Sequence, residues 1–241
     1  VAHLANHRDR PIGIVERKQA LPILSNVRIE KEPGKIRFTA TDLEIQITTS
    51  IEGKAGDGET SAITVGGKKI QEILRILPDQ SKISIEAKEN KAQIKSAKSR
   101  FSLQTLPAQD FPKLSNQLDG AKKITLGQLA LKKLLLSVQY AMAQQDVRYY
   151  LNGVLLIVEG NKLKVVATDG HRLAFNAGII DGKHERQEII LPRKAVLELC
   201  KLLSDSEELI EIEFSQQQVK ASFSGISLIT KVIEGKFPDY E

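Results

Sequence analysis

Two long stretches of the sequence repeat each other at a nearly constant spacing. Residues 65–77 align with residues 191–203 at a shift of 126 positions. Upstream, the Ala-Thr-Asp triplet at 40–42 returns at 167–169, at a shift of 127. Matches this far apart, in unchanged order, predict a duplicated domain of about half the chain.

The repeat register and the composition together predict where the two domains divide. Residues 107–122 are rich in Pro, Asp, Asn, Gln and Gly, which is typical of a connecting segment. We therefore place domain one at residues 1–120 and domain two at residues 121–241. In this register Val1 corresponds to Gln128, so the strand that precedes Gln128 has no counterpart in domain one. We expect domain one to be truncated at its N-terminus.

Hydrophobic periodicity predicts the same order of elements in each copy. In the second copy, four apolar residues between 131 and 138 fall on one stripe of a helix. Thr125 and Gln128 have the spacing of a capping box at its start, and a second helix follows Pro192. Short adjacent strands with tight turns imply antiparallel sheets. The predicted fold class is therefore α+β, with two helices packed on antiparallel sheets in each copy.

Composition narrows the possible classes of protein. With 241 residues, the chain can bury a core without metals or disulfides. It has 35 Lys and Arg against 30 Asp and Glu, a net charge of +5, so any affinity for nucleic acid depends on where the cations lie. The single cysteine excludes a disulfide framework. No apolar run approaches the ~20 residues that span a bilayer, so we expect a cytoplasmic protein without membrane association.

The two Thr-Asp motifs are the strongest candidates for catalytic chemistry. Asp42 and Glu44 follow one predicted strand, and Asp169 and His171 follow its counterpart. These side chains could serve a metal-dependent enzyme acting on nucleic acid, which we retain as the alternative function. However, a Thr-Asp pair after a strand commonly closes a turn through its own hydrogen bonds. We therefore assign no catalytic residue, no metal and no cofactor, and we interpret Cys200 as a core residue.

Basic residues recur on the predicted helices. On one helix alone they would indicate a solvated face, but three helices with the same bias favour a shared surface that meets phosphates. The sequence has no Trp and few other aromatic residues to stack on bases. The predicted contact is therefore electrostatic, independent of base sequence and weakened by salt. The helix residues concerned are Lys68, Lys69, Arg75, Lys132, Lys133, Arg193, Lys194 and Lys201.

Some strings of the sequence are specific enough to compare with known families. The two most specific are QDVRYYLNG at residues 145–153 and ATDGHRL at residues 167–173, and LPIL at 21–24, SRFSL at 99–103 and KFPDY at 236–240 accompany them. Together they resemble the bacterial replicative sliding clamps, the beta subunits of DNA polymerase III. The resemblance implies three domains of one fold, and two chains that close a six-domain ring around duplex DNA. It implies that this chain covers the first two domains.

The resemblance also implies a function without catalysis. A processivity factor of this family encircles duplex DNA and tethers the replicative polymerase, and the basic helices would line the hole. Before residues 21–24, Lys18 fits a DNA-facing position by its place and Arg17 by its type, so both remain candidates. The implied DNA-binding residues are Arg17, Lys18, Lys132, Lys133, Gln145, Tyr149, Tyr150, Arg193 and Lys194.

Two protein-binding surfaces follow from the same resemblance. A pocket between domains two and three receives short peptides from polymerases, the clamp loader and repair proteins, and domain one pairs with domain three of a second chain. Without a third domain, we expect weak peptide binding and a monomer, whereas the full-length protein forms a homodimer. The implied peptide-binding residues are Leu151, Thr168, Gly170, His171, Arg172, Leu173 and Pro238. The implied dimer-interface residues are Lys69, Lys91, Lys98, Arg100, Phe101 and Leu103.

Overall fold

The computed structural model describes residues 21–52, 60–78 and 81–241, and the chain divides into two compact units. Unit one comprises Val1–Leu114 with Gly225–Ser227, and unit two comprises Ser115–Ser224 with Leu228–Glu241. Both units combine helix with antiparallel sheet, so the predicted α+β class is confirmed. The predicted first helix of domain one, and with it Arg17 and Lys18, lies outside the described residues.

The described part of unit one contains seven antiparallel strands and one α-helix. Its elements are β1 (Asn26–Glu32), β2 (Lys35–Thr41), β3 (Ile45–Glu52), β4 (Ser61–Gly66), α1 (Gly67–Ile76), β5 (Ser84–Lys88), β6 (Lys91–Ser96) and β7 (Ser99–Leu106). The strands hydrogen-bond in the order β5-β6-β7-β4-β1-β2-β3. In β6, buried Ala92 and Ile94 alternate with exposed Lys91 and Gln93, because successive side chains of a strand point to opposite faces.

Unit two has two α-helices among its described elements. These elements are β8 (Lys122–Gly127), α2 (Gln128–Val138), β9 (Gly153–Thr168), β10 (Leu173–Pro192), α3 (Arg193–Leu202), β11 (Leu209–Phe214), β12 (Gln218–Phe223) and β13 (Ile226–Lys231). Strands β13-β12-β11-β8 are neighbours in that order, and β9 pairs with β10. The β9–β10 pairing has two regular blocks with register shifts around His184. Gly160 lies within β9 and has a φ of +59°.

The apolar stripes predicted for the helices of unit two are confirmed. Helix α2 buries Leu131, Leu134, Leu135 and Val138. Helix α3 buries Val196 and Leu199 in the same way, since a period of 3.6 residues brings these positions to one face. In the described part of the chain, no helix combines the length and the hydrophobicity that a membrane span requires.

The predicted capping box at the start of α2 is wrong. Thr125 lies within β8, paired with Glu211, and Gly127 is the N-cap residue without a side-chain cap. The strand runs directly into the helix, so backbone carbonyls do the capping: the Gln128 amide donates to the carbonyl of Glu208 at 2.9 Å. The buried Gln128 side chain accepts a hydrogen bond from the Ser204 hydroxyl at 2.9 Å. The glutamine therefore ties α2 to the segment that follows α3.

Candidate functional site

In unit two, the Thr-Asp motif closes the turn between β9 and β10, which we call the Thr-Asp turn (residues 168–172). Oδ1 of Asp169 accepts hydrogen bonds from the amides of His171 and Arg172, both at 3.0 Å. The Thr168 hydroxyl donates to the Arg172 carbonyl at 2.7 Å and accepts from the Gly170 amide at 3.0 Å. The His171 and Arg172 amides lower the pKa of Asp169 below its ordinary value. The predicted turn-closing role is confirmed.

Unit one forms the same turn from the same two residue types. Oδ1 of Asp42 accepts from the amides of Glu44 and Ile45, both at 2.9 Å. The Thr41 hydroxyl donates to the Ile45 carbonyl at 2.9 Å and accepts from the Leu43 amide at 3.1 Å. Each of the four hydrogen bonds named for the unit-two turn therefore has a counterpart in unit one.

These bonds engage the carboxylates on which the alternative of a metal-dependent enzyme depends. Asp42 and Asp169 each use a carboxylate oxygen to cap backbone amides. Nowhere in residues 21–52, 60–78 and 81–241 do three or more His, Cys, Asp or Glu side chains group so that they could hold a metal ion. The ligand set proposed with Glu44 and His171 is therefore not assembled in the described structure.

A second network of hydrogen bonds holds the QDVRYYLN segment, which we call the tyrosine loop (residues 145–152). The Asp146 amide donates to Oδ1 of Asn152 at 3.0 Å, and the Asn152 side-chain amide donates to the Asp146 carbonyl at 2.9 Å. The Arg148 amide donates to Oδ1 of Asp146 at 2.8 Å. At its start, Gln145 adopts a φ of +56°, which is uncommon for a residue other than glycine. Hydrogen bonds of the loop's own side chains therefore hold it in this conformation.

Arg148 joins this loop to the Thr-Asp turn, and sequence reasoning missed it. Its Nε and Nη2 donate to the two carboxylate oxygens of Asp146 at 3.0 and 2.8 Å. This pairing lowers the pKa of Asp146 to about 2. Nη2 also donates to the Asp169 carbonyl at 3.3 Å. The available signal was its place within QDVRYYLNG, but a contact across 21 residues leaves no periodic pattern.

Three of the implied DNA-binding residues belong to the tyrosine loop. Gln145 and Tyr149 are exposed, and Tyr150 is partly buried. The two tyrosine rings meet edge to face, with centroids 6.0 Å apart. The side chain of Tyr150 packs on the cluster that contains Leu151 and Phe237. The ring of Tyr149 is therefore accessible, while the neighbouring Tyr150 is held against the apolar cluster.

The implied peptide-binding residues divide into exposed and buried groups. Leu151 is buried with Leu155, Ile157 and Phe237, so it supports the surface from beneath. Thr168 is also buried, and its hydroxyl is used within the turn. The exposed members are Gly170, His171, Arg172, Leu173 and Pro238. All of them lie in unit two, on the Thr-Asp turn, the first residue of β10 and the C-terminal segment.

One apolar contact beside these residues was absent from the sequence prediction. Phe175, half exposed on β10, stacks on Tyr240 with ring centroids 6.0 Å apart and an angle of 19°. Leu173 lies two residues earlier on the same face of the strand and is also exposed. Arg172 adds a cation–π contact with Tyr140, at 5.6 Å from the ring centroid. An apolar surface with a cationic rim therefore adjoins the turn.

Several cations on the helices of unit two have anionic or carbonyl partners. Lys132 pairs with Asp205 at 2.8 Å, and Lys201 pairs with Glu198 at 2.7 Å. Arg193 is partly buried and donates to the Met142 carbonyl at 3.3 Å. The remaining implied residues are Lys133, which is exposed, and Lys194, which is partly buried. The net positive field of these helices is therefore weaker than the count of basic residues suggests.

The implied dimer residues lie on the sheet β5-β6-β7 and on helix α1 of unit one. Lys69, Lys91, Lys98 and Arg100 are exposed. Phe101 is partly buried, and Leu103 is only 7% exposed because it faces the core of the unit. Strand β7 pairs with β6 from Ser99 to Gln104 and with β4 at Thr105 and Leu106. The alternation of β7 points Leu103 inward, and its part in a dimer interface stays a prediction.

Cys200 lies on α3 and is partly buried. Burial raises the pKa of its thiol to about 11, so the thiol is protonated near neutral pH. Cys200 therefore fits the interpretation as a core residue better than the interpretation as a catalytic nucleophile.

Comparison with known proteins matches both halves of the chain to one family. Residues 2–115 match the N-terminal domain of the DNA polymerase III beta subunit, and residues 125–239 match its central domain. A beta sliding clamp of Pseudomonas putida is 42% identical over 232 residues, which cover 95% of this chain and 62% of the relative.

Solved structures give the same result. The DNA polymerase III subunit beta of Pseudomonas aeruginosa superposes with a TM-score of 0.92 at 39% identity, covering 99% of this chain and 64% of that one. A Pseudomonas aeruginosa sliding clamp bound to griselimycin also gives 0.92, at 38% identity, covering 100% and 65%. The chain thus spans less than two thirds of the length of these relatives.

Proposed function

The chain belongs to the DNA polymerase III beta subunit family, and we propose that it supplies the first two domains of a sliding clamp, residues 1–120 and 121–241. Such a protein encloses duplex DNA without cutting or copying it, and carries the replicative polymerase along. It performs no chemistry of its own. We propose that it acts in the bacterial cytoplasm, where the chromosome is replicated.

The observation that carries this proposal is the contact between the tyrosine loop and the Thr-Asp turn in unit two. The loop offers Gln145 and Tyr149 to a large polar ligand, and the turn adjoins the apolar residues Leu173 and Phe175. A tether needs both functions: one surface that DNA can slide past and one that holds a protein. Arg148 places the two surfaces side by side.

The proposed DNA contact is weak and does not depend on base sequence. Lys132, Lys133, Arg193 and Lys194, with Arg17 or Lys18, supply charge to phosphates, and the Asp205 carboxylate reduces the contribution of Lys132. Contacts that discriminate bases are worth ~1–3 kcal/mol each and would halt sliding. Retention on DNA therefore comes from a closed ring.

The peptide contact uses His171, Arg172, Leu173 and Pro238 around Gly170. Peptides from the polymerase, the clamp loader and repair proteins would place an apolar side chain over Leu173 and Phe175, with Arg172 at the polar rim. The family's third domain contributes the other wall of this pocket. We therefore propose that the 241-residue chain binds such peptides weakly.

Ring closure uses the free edge of β7 in unit one. Lys69, Lys91, Lys98 and Arg100 form a basic fringe around Phe101, which suits a partner strand edge that carries acids. The complete clamp would be a homodimer, and this chain alone a monomer.

Topological retention distinguishes this function from ordinary DNA binding. A protein that carries all three clamp domains, including these two units, is loaded on nicked circular duplex DNA, which is then passed through a sizing column. We expect co-elution in high salt from the circle and loss after linearisation, because salt removes the electrostatic contact but leaves the ring closed. Equal loss from both forms would contradict the proposal. Sequence-independent cleavage of the DNA would favour an enzyme instead.

A further inference from the structure

Two surfaces with different proposed ligands meet at the Arg148 guanidinium. On the loop side it holds both carboxylate oxygens of Asp146. On the turn side Nη2 reaches the Asp169 carbonyl, and Nη1 lies 2.9 Å from the point where a Cβ on residue 170 would stand. Gly170 has a φ of +88°. The backbone conformation there favours glycine, and the guanidinium packs against this residue.

Hydrogen bonds within each side of this junction hold it in one conformation. The tyrosine loop is braced by Asp146 and Asn152, and the Thr-Asp turn is closed by five hydrogen bonds of Thr168 and Asp169. The C-terminal segment adds a second link, since a Cβ on Gly235 would stand 3.5 Å from the Cβ of Tyr150. The planar guanidinium of an arginine fixes the relative positions of the two groups that it binds, whereas the ammonium group of a lysine does not.

We propose that Arg148 is a positioning residue that couples DNA contact at the tyrosine loop to the order of the Thr-Asp turn. The inference rests on the proposed function, because it takes the loop as the DNA-facing element and the turn as the peptide-facing one. A duplex that restrains the loop restrains the turn through the guanidinium. A peptide that then binds the turn loses less conformational entropy, and by linkage the peptide strengthens the DNA contact equally.

Hydrogen exchange on the 241-residue chain measures the coupling with duplex DNA as the only ligand. A short duplex oligonucleotide is added at low salt, where non-specific contacts are strongest. The reporter amides of the turn are those of Gly170, His171 and Arg172, and the reporters of the loop are those of Asp146 and Arg148. We expect exchange at the turn amides to slow by about fivefold when the loop amides become protected.

Three variants test whether Arg148 carries the coupling between the loop and the turn. R148A keeps loop protection in part and loses the slowing at the turn. R148K retains the charge but lacks the fork, and is expected to behave like R148A at the turn. R186A is the matched control: Arg186 is 47% exposed against 46% for Arg148, and its guanidinium also pairs with a carboxylate two residues away, that of Glu188. It lies outside the proposed surfaces, so the turn should slow as in the parent chain.

The outcomes separate the two proposals. Protection of the loop without any change at the turn in the parent chain overturns the coupling and leaves the DNA-facing loop intact. The same slowing in R148A and the parent chain overturns the role of Arg148. Absence of protection at the loop in the parent chain overturns the DNA-facing loop itself, and the coupling with it. Circular dichroism of each variant verifies that it is folded.

Discussion

The Thr-Asp turns of the two units share a backbone but differ in what lies beyond it. In unit one the residue after the turn, Gln46, is 2% exposed, and its side-chain oxygen accepts the Leu114 amide at 2.9 Å. In unit two the corresponding residue, Leu173, is 47% exposed. Unit one therefore covers its turn with its own connecting segment. Unit two leaves the equivalent side chain exposed, on the surface where we propose that a peptide binds.

The same contrast continues beneath the turns. In unit one, Glu30 of β1 binds Arg28 at 2.9 Å and Lys113 of the connecting segment at 2.8 Å. At the positions corresponding to Arg28 and Glu30, unit two has Leu155 and Ile157, which pack on Phe237. In unit one, the ion pairs of Glu30 with Arg28 and Lys113, which we call the ionic latch, fix the connecting segment. In unit two, an apolar cluster supports the C-terminal segment instead.

Breaking the ionic latch should have the largest effect. Glu30→Ala leaves Arg28 and Lys113 without their shared carboxylate, and we expect the free energy of unfolding of unit one to fall by about 3 kcal/mol. Urea denaturation followed by a probe in unit one measures it. Ile157→Val is the matched change in unit two and should cost about 1 kcal/mol. Equal losses in the two variants would contradict the distinction between latch and cluster.

The latch also predicts that acid destabilises unit one. Burial raises the pKa of Glu30, but hydrogen bonds from Lys113 and Arg28 outweigh it, so the pKa lies below the ordinary value of 4.5. A lowered folded-state pKa means that the latch contributes stability above the unfolded pKa and loses it as the pH falls through the folded one. Unfolding midpoints measured from neutral pH down to strongly acidic pH should show this loss. In Glu30→Gln the contribution should be absent at every pH.

Exchanging the residues at the positive-φ position tests how far the turns are equivalent. Gly170→Leu places in unit two the residue that unit one carries at Leu43. We expect a loss of about 2 kcal/mol, because the new side chain adopts a disfavoured φ and collides with the Arg148 guanidinium. Thermal unfolding measures the loss. If the variant matched the parent chain in stability, the packing of Arg148 on the turn would be irrelevant.

Exchanging the next exposed position sharpens the contrast between a covered and an open turn. Gln46→Leu removes the acceptor of the Leu114 amide and should cost about 1 kcal/mol. The reciprocal change, Leu173→Gln, should alter stability by less than about 0.5 kcal/mol, since the side chain is exposed. Differential scanning calorimetry of both variants gives the result, and a loss in Leu173→Gln equal to that in Gln46→Leu would contradict the contrast between a covered and an open turn.

The smallest expected effect is a gain. Leu43 has a φ of +79°, which costs an L-residue roughly 1–2 kcal/mol. Leu43→Gly relieves this strain, but it also increases the freedom of the unfolded chain. We expect a net gain of about 0.5 kcal/mol in unit one, measured by urea denaturation. A clear loss would mean that the partly exposed leucine side chain makes contacts worth more than the strain.

Local patterns allowed the sequence to predict much of the fold. The stripes of α2 and α3 and the two Thr-Asp turns depend on spacings of a few residues, which a single sequence displays directly. The capping box failed although its spacing was correct, because β8 continues into α2 and carbonyls of a distant loop satisfy the helix amides. Tertiary context outweighed the local motif there.

The binding surface was predictable only in part. The motif match named one segment of unit two, but it could not rank the residues by exposure, so Leu151 and Thr168 were grouped with accessible neighbours. The contact of Arg148 with the turn and the Phe175–Tyr240 stack were missed because each joins residues 21 or more positions apart. Local periodicity does not show which loop or terminal segment packs beside a given strand.

The burial of Cys200 makes the chain convenient for spectroscopy. Thiol-directed dyes react with the thiolate, and a pKa of about 11 keeps this cysteine almost wholly protonated in ordinary buffers. A cysteine introduced on an exposed loop would therefore be labelled in preference to the native one. Donor and acceptor dyes attached this way could report distances within either unit while α3 keeps its native sequence.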